Sequence, residues 1–203
     1  MPEPSKVLGK AWADEQRTLR VAKLQVALRE LLATSPHFTF EIGCGHGHWL
    51  TAYAQKFPEK FCLGIDLITT RVERSVRKQT IGQINNVHFL KAEATELLDA
   101  LSPEHQLNEV FILYPDPWPK TKHHKNRFIN QENLARLAKH APNGTKLHFR
   151  TDDLDYYQWT LEHLKQNPHW KLLETEAWPF ERTTFFEERM KAKRDLIAEK
   201  HSA

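Results

Sequence analysis

The sequence predicts an α/β fold of the Rossmann-like kind, an open, mostly parallel twisted sheet with helices on both faces. Three observations predict it. Segments of strand character alternate with segments of helical spacing along most of the chain. "FCLGID" and "EVFILY" are continuous apolar runs, as strands buried on both faces require. The unusual stretches "EIGCGHG", "GIDL", "AEA", "YPDPWPK" and "RTDD" each fall at the carboxyl end of a strand, where sheets of this kind bind ligands.

Taken in order, Leu24, Leu28, Leu31 and Leu32 share one helical face, so about Trp12 to Leu32 reads as an amphipathic helix within an N-terminal segment at 1–35. "FTFEI" (Phe38 to Ile42) alternates like a strand and runs into glycines; Trp49, Leu50, Tyr53, Ala54 and Phe57 return to helical spacing. "FCLGID" is the second strand, followed by a helix over Thr69 to Ile81, strand "VHFL" and a helix near Thr95 to Leu101. "EVFILY" is the fourth strand. "NQENLARLAKHAPNG" is a helix stopped by Pro142 to Gly144, "TKLHF" a fifth strand and "DDLDYYQWTLEHLKQ" one more helix. A length of 203 residues suits one domain over 1–203 with a substantial core.

With 40% apolar and 27% charged residues the composition is that of a globular protein rather than a disordered one. A net charge of +3 is too small to argue for nucleic acid, so the placement of charge matters more. Cys44 and Cys62 are too few for a disulfide framework and fit no zinc spacing, which suits free thiols in a reducing compartment. The first twenty residues have no apolar core of signal-peptide length, and no stretch approaches the roughly 20 apolar residues of a membrane span. The expectation is a soluble, cytoplasmic protein without a membrane partner.

Gly43, Gly45 and Gly47 form a G-x-G-x-G turn between a strand and a helix, which lets backbone approach a ligand and aims N–H groups at it. Tight turns also use glycine for purely steric reasons. Asp66, however, ends the next strand, where an acid can accept from both hydroxyls of a ribose, and this favours a nucleoside ligand. Glu41, just before the first glycine, would repel a pyrophosphate but suits an amino group and a sulfonium. Glu93, after the third strand, can meet an adenine amino group. Glu41 or Glu93 alone would pass as a solvated strand end; with Asp66, the three acids together favour S-adenosylmethionine over a dinucleotide.

Pro115, Pro117 and Pro119 restrict Asp116 and Trp118, and proline biases the residue before it toward extended geometry. Such a turn positions a group rigidly beside the cofactor, as in-line methyl transfer demands. Lys120, Lys122, Lys125 and Arg127, with His123 and His124 when protonated, follow at once and can neutralise RNA phosphates. The cations from Arg189 to Arg194 are a weaker second candidate and read equally as a helix face. His46 and His48 lack neighbouring ligands at metal spacing, so no metal is expected.

The combination "FEIGCGHG … GID … AEA … PDPWPK…H…R … TDD … TTFFEER" resembles the bacterial tRNA (guanine-N7)-methyltransferase family, a class I methyltransferase family, over about Phe38 to Arg189. The resemblance implies transfer of a methyl group from S-adenosyl-L-methionine to N7 of a guanosine in tRNA, by a monomer or homodimer. It implies cofactor contacts at Glu41, Gly43, Gly45, Gly47, Asp66, Glu93 and Asp116, with Asp116 also catalytic. Lys120, Asp152 and the segment Thr184, Phe185, Phe186 and Glu187 align with substrate-contacting positions. Asp152 or Glu187 can accept from guanine N1–H and its amino group. Trp118 is placed either to stack on the base or to pack against its own loop. The sequence departs from the family in Glu93, where Asp is usual, and in Thr121 and Asn126, where basic residues are common. Two other readings remain open at this stage: a class I paralogue acting on another RNA base or a protein amino group, and a non-catalytic RNA-binding relative.

Overall fold

The computed structural model describes residues 4–182 and 192–202. Among them are six helices, α1 (Pro4–Leu31), α2 (His48–Lys56), α3 (Thr69–Ile81), α4 (Ala94–Ala100), α5 (Gln131–His140) and α6 (Leu154–Lys165). The strands are β1 (His37–Ile42), β2 (Cys62–Asp66), β3 (Val87–Lys91), β4 (Gln106–Leu113), β5 (Lys146–Thr151), β6 (Trp170–Leu172) and β7 (Arg194–Lys200). They form one sheet in the order β3-β2-β1-β4-β5-β7-β6. The first five run parallel, and β7 enters antiparallel between β5 and β6.

Alternation along the strands sends side chains to two cores. Phe38 and Phe40 of β1 and Val110 and Ile112 of β4 meet Leu28, Leu97, Leu98, Leu134, Leu137 and Tyr156, so α1, α4, α5 and α6 cover that face. Phe111, pointing the other way from β4, joins Trp49, Tyr53, Val72, Val87 and Phe89 beneath α2 and α3. Helices thus lie on both faces as expected. Over the β4–β5 part of the second face, however, Trp178 from an irregular segment packs on Phe111 and His148 in place of a helix, and Phe180 of the same segment packs on Trp49, Tyr53 and Phe57. Arg150 of β5 is buried there. It donates to Asp195 of β7 at 2.6 and 2.8 Å and to Glu181 at 2.9 Å, and it stacks on Trp178 at 3.9 Å.

Two features differ from the sequence expectation. The first helix begins at Pro4 rather than near Trp12, with proline at the first helical position, where its missing N–H is no loss. Arg17 and Arg20 then dock it on α4 by bonds to Asp99 and Glu96. The cationic tail ending at Arg194, which also reads as a helix face, leads into a strand: "RDLIAEK" pairs with β5 from Thr151↔Arg194 to Lys146↔Glu199. Its short apolar centre carries no periodicity long enough to declare itself, and only the open edge of β5 selects extended geometry.

Candidate active site at the switch point of the sheet

The strand order reverses between β1 and β4, and the crevice at such a point is where sheets of this type bind ligands. A cleft of about 460 Å³ opens there, walled by the carboxyl ends of β1 to β4 and by the start of α5. Gly43, Asp66, Glu93, Asp116, Trp118, Lys125 and Arg127 all line it, so residues scattered over 85 positions of sequence meet at one place.

The glycine turn forms because Gly43 and Cys44 both donate to Ile65 O, at 2.9 and 2.8 Å, which pulls the chain sharply off β1. Gly43, Gly45 and Gly47 have φ of 78°, 55° and 65°, a region glycine enters freely. The three differ in surroundings. A Cβ on Gly47 would lie 2.8 Å from the Phe89 ring and from Ser75 Cβ, whereas Gly43 and Gly45 have nothing within 4 Å of that position. Gly47 therefore serves close packing, and the other two leave the backbone open to a ligand.

Asp66 is buried and braces the turn. Its Oδ2 accepts from Gly45 N at 3.0 Å and its Oδ1 from Ile68 N at 2.8 Å, with Arg71 Nη1 3.7 Å away. A carboxylate has about four acceptor positions, so two bonds leave room for ribose hydroxyls. Glu41 is only 3% exposed and its Oε2 has no partner. Burial, reinforced by the nearby Asp66 charge, pushes its carboxyl up to about 8. Glu93 is the N-cap of α4: its Oε2 accepts from Glu96 N at 3.0 Å and from the Thr95 hydroxyl, while Oε1 makes no bond among the described residues.

The proline turn departs from expectation in backbone. Tyr114 and Trp118, each preceding a proline, have φ of 49° and 48° rather than extended values. Such residues cost about 1–3 kcal/mol each and persist where surrounding structure over-determines them. Here Tyr114 N donates to Arg150 O at 2.7 Å, and Arg127 holds the turn from behind. Its Nε donates to Pro117 O at 2.9 Å, its Nη2 pairs with Asp155, and its guanidinium lies 5.0 Å from the Tyr156 ring and 5.2 Å from that of Trp159. Asp116 is left exposed on the cleft wall, and Trp118 is half-buried, edge-on to His123 at 5.9 Å.

Arg127 corrects the reading of the basic segment. Expected among the phosphate-facing cations, it is 2% exposed and engaged in packing; only Nη1 lacks a partner. His124 likewise turns inward toward Asp155 and Trp159. Lys120, Lys122 and Lys125 are exposed and His123 half-buried, on or beside a 3₁₀ turn over Thr121–Asn126 that the sequence did not announce. Asp152 is exposed at the end of β5, its carbonyl accepting from Arg194 at 2.8 Å. Thr184, Phe185, Phe186 and Glu187 lie outside the described residues. His46 and His48 have ring centroids 6.1 Å apart, and among the described residues no three His, Cys, Asp or Glu gather as a metal site. Among the described residues no helix is long and apolar enough to cross a membrane.

Sequence reasoning missed Asn130 and Asn133 on the cleft wall. Asn130 Oδ1 accepts from Asn133 N at 2.9 Å and caps α5, and Asn133 Nδ2 donates to Phe128 O at 2.8 Å. An Asn immediately before a periodic segment was the available signal. Arg71, one turn into α3, was also missed.

A sheet of this order, with its last strand inserted antiparallel and a glycine turn and acids at the switch point, defines the class I methyltransferase fold. TrmN of Thermus thermophilus shares it at a TM-score of 0.58 and 16% identity, over 87% of this chain and 48% of its own. The family model described as "Putative methyltransferase" matches residues 35–201, and the chain belongs to that family. The tRNA (guanine-N(7)-)-methyltransferase of Azorhizobium caulinodans is 35% identical over 68% of this chain and 59% of its own; that of Caulobacter vibrioides is 32% identical over 73% and 65%. The chain therefore spans about 59–65% of the length of these curated relatives.

Proposed function

We propose that this protein transfers a methyl group from S-adenosylmethionine to N7 of a guanosine in tRNA. The observation that carries this reading is the proline turn, which sets Asp116 on the same cleft as Gly43, Asp66 and Glu93. The names of the curated relatives support the choice of acceptor.

The residues present fit the methyl donor. Glu41, buried with an unpartnered oxygen, suits the donor's cationic methionine end, and a cation there would restore the carboxyl to its charged form. Open space at Gly43 and Gly45 admits the ligand to the backbone, the remaining acceptor positions of Asp66 suit its ribose, and Glu93 Oε1 suits its adenine amino group. When bound, the donor supplies an electrophilic methyl on sulfur.

Guanine N7 offers an exposed lone pair and carries no proton, so the chain needs no strong general base. It must hold the ring, exclude water and stabilise the positive charge that grows on the base. Asp116 on its stiffened turn does the last. Asp152 accepts from the guanine edge, Trp118 packs the turn beside the base, and Lys120, Lys122, His123 and Lys125 face the RNA phosphates. A base held inside folded RNA must first be exposed or extruded.

The test is incubation with tritiated S-adenosylmethionine and unmodified tRNA, digestion to nucleosides and separation. Label in N7-methylguanosine is expected. Label in any other nucleoside would reassign the acceptor, and no label with cofactor bound would refute the reaction.

A further inference from the structure

A second charged feature lies across the glycine turn from the cleft. Between α2 and the C-terminal half of α3 runs a groove of about 440 Å³, lined by His48, Thr51, Arg74, Arg77, Lys78 and Arg182 over an apolar floor of Ile81 and Ile84. Among the described residues no carboxylate lines it, and Arg74, Arg77, Lys78 and Arg182 make no ion pair. Four cations without a carboxylate partner among the described residues repel one another around one concavity, an arrangement a folded chain keeps where an anion completes it. The helix dipole accounts for Lys78 in the last turn of α3. It does not account for Arg182, which arrives from a distant part of the chain.

A separate observation points to a ligand. Thr51 on α2 is only 5% exposed, and its hydroxyl has no hydrogen-bond partner although it lines this groove. A buried hydroxyl left unsatisfied is costly, and an anion's oxygen would satisfy it. The local field agrees: His48 is held below its usual range by burial and then by Lys78, and Lys78 is held low by burial and then by Arg182.

The groove and the cleft share helix α3 as a wall. Ile68 and Arg71, at the start of α3, line the cleft; Arg74 to Lys78, further along the same helix, line the groove. From Arg71 to Lys78 the helix rises only about 10 Å. Lys78 also donates to His46 O in the glycine turn at 2.6 Å. An extended polyanion reaching the cleft would cross Arg71 and Arg74 on one side and meet the exposed lysines of the 3₁₀ turn on the other.

We infer that the α2–α3 groove is a phosphodiester-binding site that seats the backbone of the RNA substrate beside the acceptor cleft. This rests on the RNA reading above, and the experiment separates the two. Fluorescence anisotropy with an unmodified tRNA transcript, titrated at several salt concentrations, compares the parent with Arg77→Ala/Arg182→Ala and with Lys139→Ala/Lys171→Ala, an equal charge change on exposed residues elsewhere. Lys78 and Arg74 are left intact because both contact His46 in the glycine turn. The groove variant should bind about tenfold more weakly, with a log–log salt slope shallower by about 1.4–1.8, near 0.7–0.9 per lost phosphate contact. Its melting temperature and cofactor binding should match the parent, and the control should keep the parent slope. Thr51→Val, which removes no charge, should weaken binding severalfold with the slope intact.

Equal slopes in the parent and the groove variant, with tRNA methylated by both, would overturn the groove and leave the reaction standing. A groove-dependent slope with no methyl transfer would overturn the reaction and leave the groove. Binding to anionic phospholipid vesicles but not to RNA would overturn the assignment of the groove.

Discussion

Substituting Arg127 by alanine should unseat the proline turn without removing any exposed charge. The side chain is fully enclosed, and its Nε bond to Pro117 O, at 2.9 Å, is charge-assisted, a class that contributes about 1.5–3 kcal/mol. The ion pair with Asp155 adds less, about 0–1 kcal/mol, because that carboxylate is 64% exposed and re-solvates when its partner leaves. Contacts over Tyr156 and Trp159 contribute roughly another 1–2 kcal/mol, partly offset by relief of the unpartnered Nη1. The net loss is about 2–4 kcal/mol, or roughly 4–16 °C in melting temperature for a chain of this size. Urea unfolding of the parent, Arg127→Ala and Arg127→Lys reads it directly. Lysine keeps the charge but cannot reach Pro117 O and Asp155 together, so it should restore less than half. Methyl transfer should fall in both variants while the salt slope of RNA binding stays at the parent value. A melting temperature within about 1 °C of the parent, with a slope shallower by about 0.7–0.9, would refute the anchoring role and make Arg127 a phosphate contact.

Other consequences are equally direct. Asp116→Ala should leave cofactor affinity near the parent value and lower single-turnover transfer about 10²–10³-fold, as loss of one charge-stabilising group does; transfer at the parent rate would remove Asp116 from the chemistry. Glu41 makes the cofactor-free protein sensitive to pH. Its folded carboxyl, raised to about 8 from an ordinary 4.5, retains a proton that the unfolded chain releases. Its own contribution to stability is therefore full below about 4.5 and falls as pH rises toward 8, by up to about 1.4 kcal/mol per pH unit. Glu41→Gln should flatten that fall, as denaturation at pH 5 and pH 8 would show. Gly47→Ala should destabilise by about 1–3 kcal/mol through overlap with Phe89 and Ser75. Gly45→Ala, facing open space, should cost only the strain of its positive φ yet weaken cofactor binding by calorimetry.

Much of the fold was legible because the relevant forces are local and periodic. Helix α3 lies over Thr69–Ile81 as its spacing predicts, and the buried runs of β2 and β4 announce a parallel sheet covered on both faces. Glycine and proline marked the two turns at the strand ends, since their backbone preferences act within a few residues. The gathering of Gly43, Asp66, Glu93 and Asp116 was legible too, because parallel strands place their carboxyl ends on one edge whatever lies between them.

Tertiary structure alone decided what each charge does. By sequence Arg127 is one more cation in a basic run; in space it is enclosed by Tyr156, Trp159 and Asp155, because α6 packs behind the turn. Strand β7 exists because β5 offers an open edge, and the positive φ of Tyr114 and Trp118 overrides the ordinary preference before proline because contacts on both sides hold it. The groove at Thr51, Arg74 and Arg182 joins three segments remote in sequence. Backbone preference is a property of neighbours along the chain, whereas burial and electrostatic surroundings depend on neighbours in space, and only folding determines those.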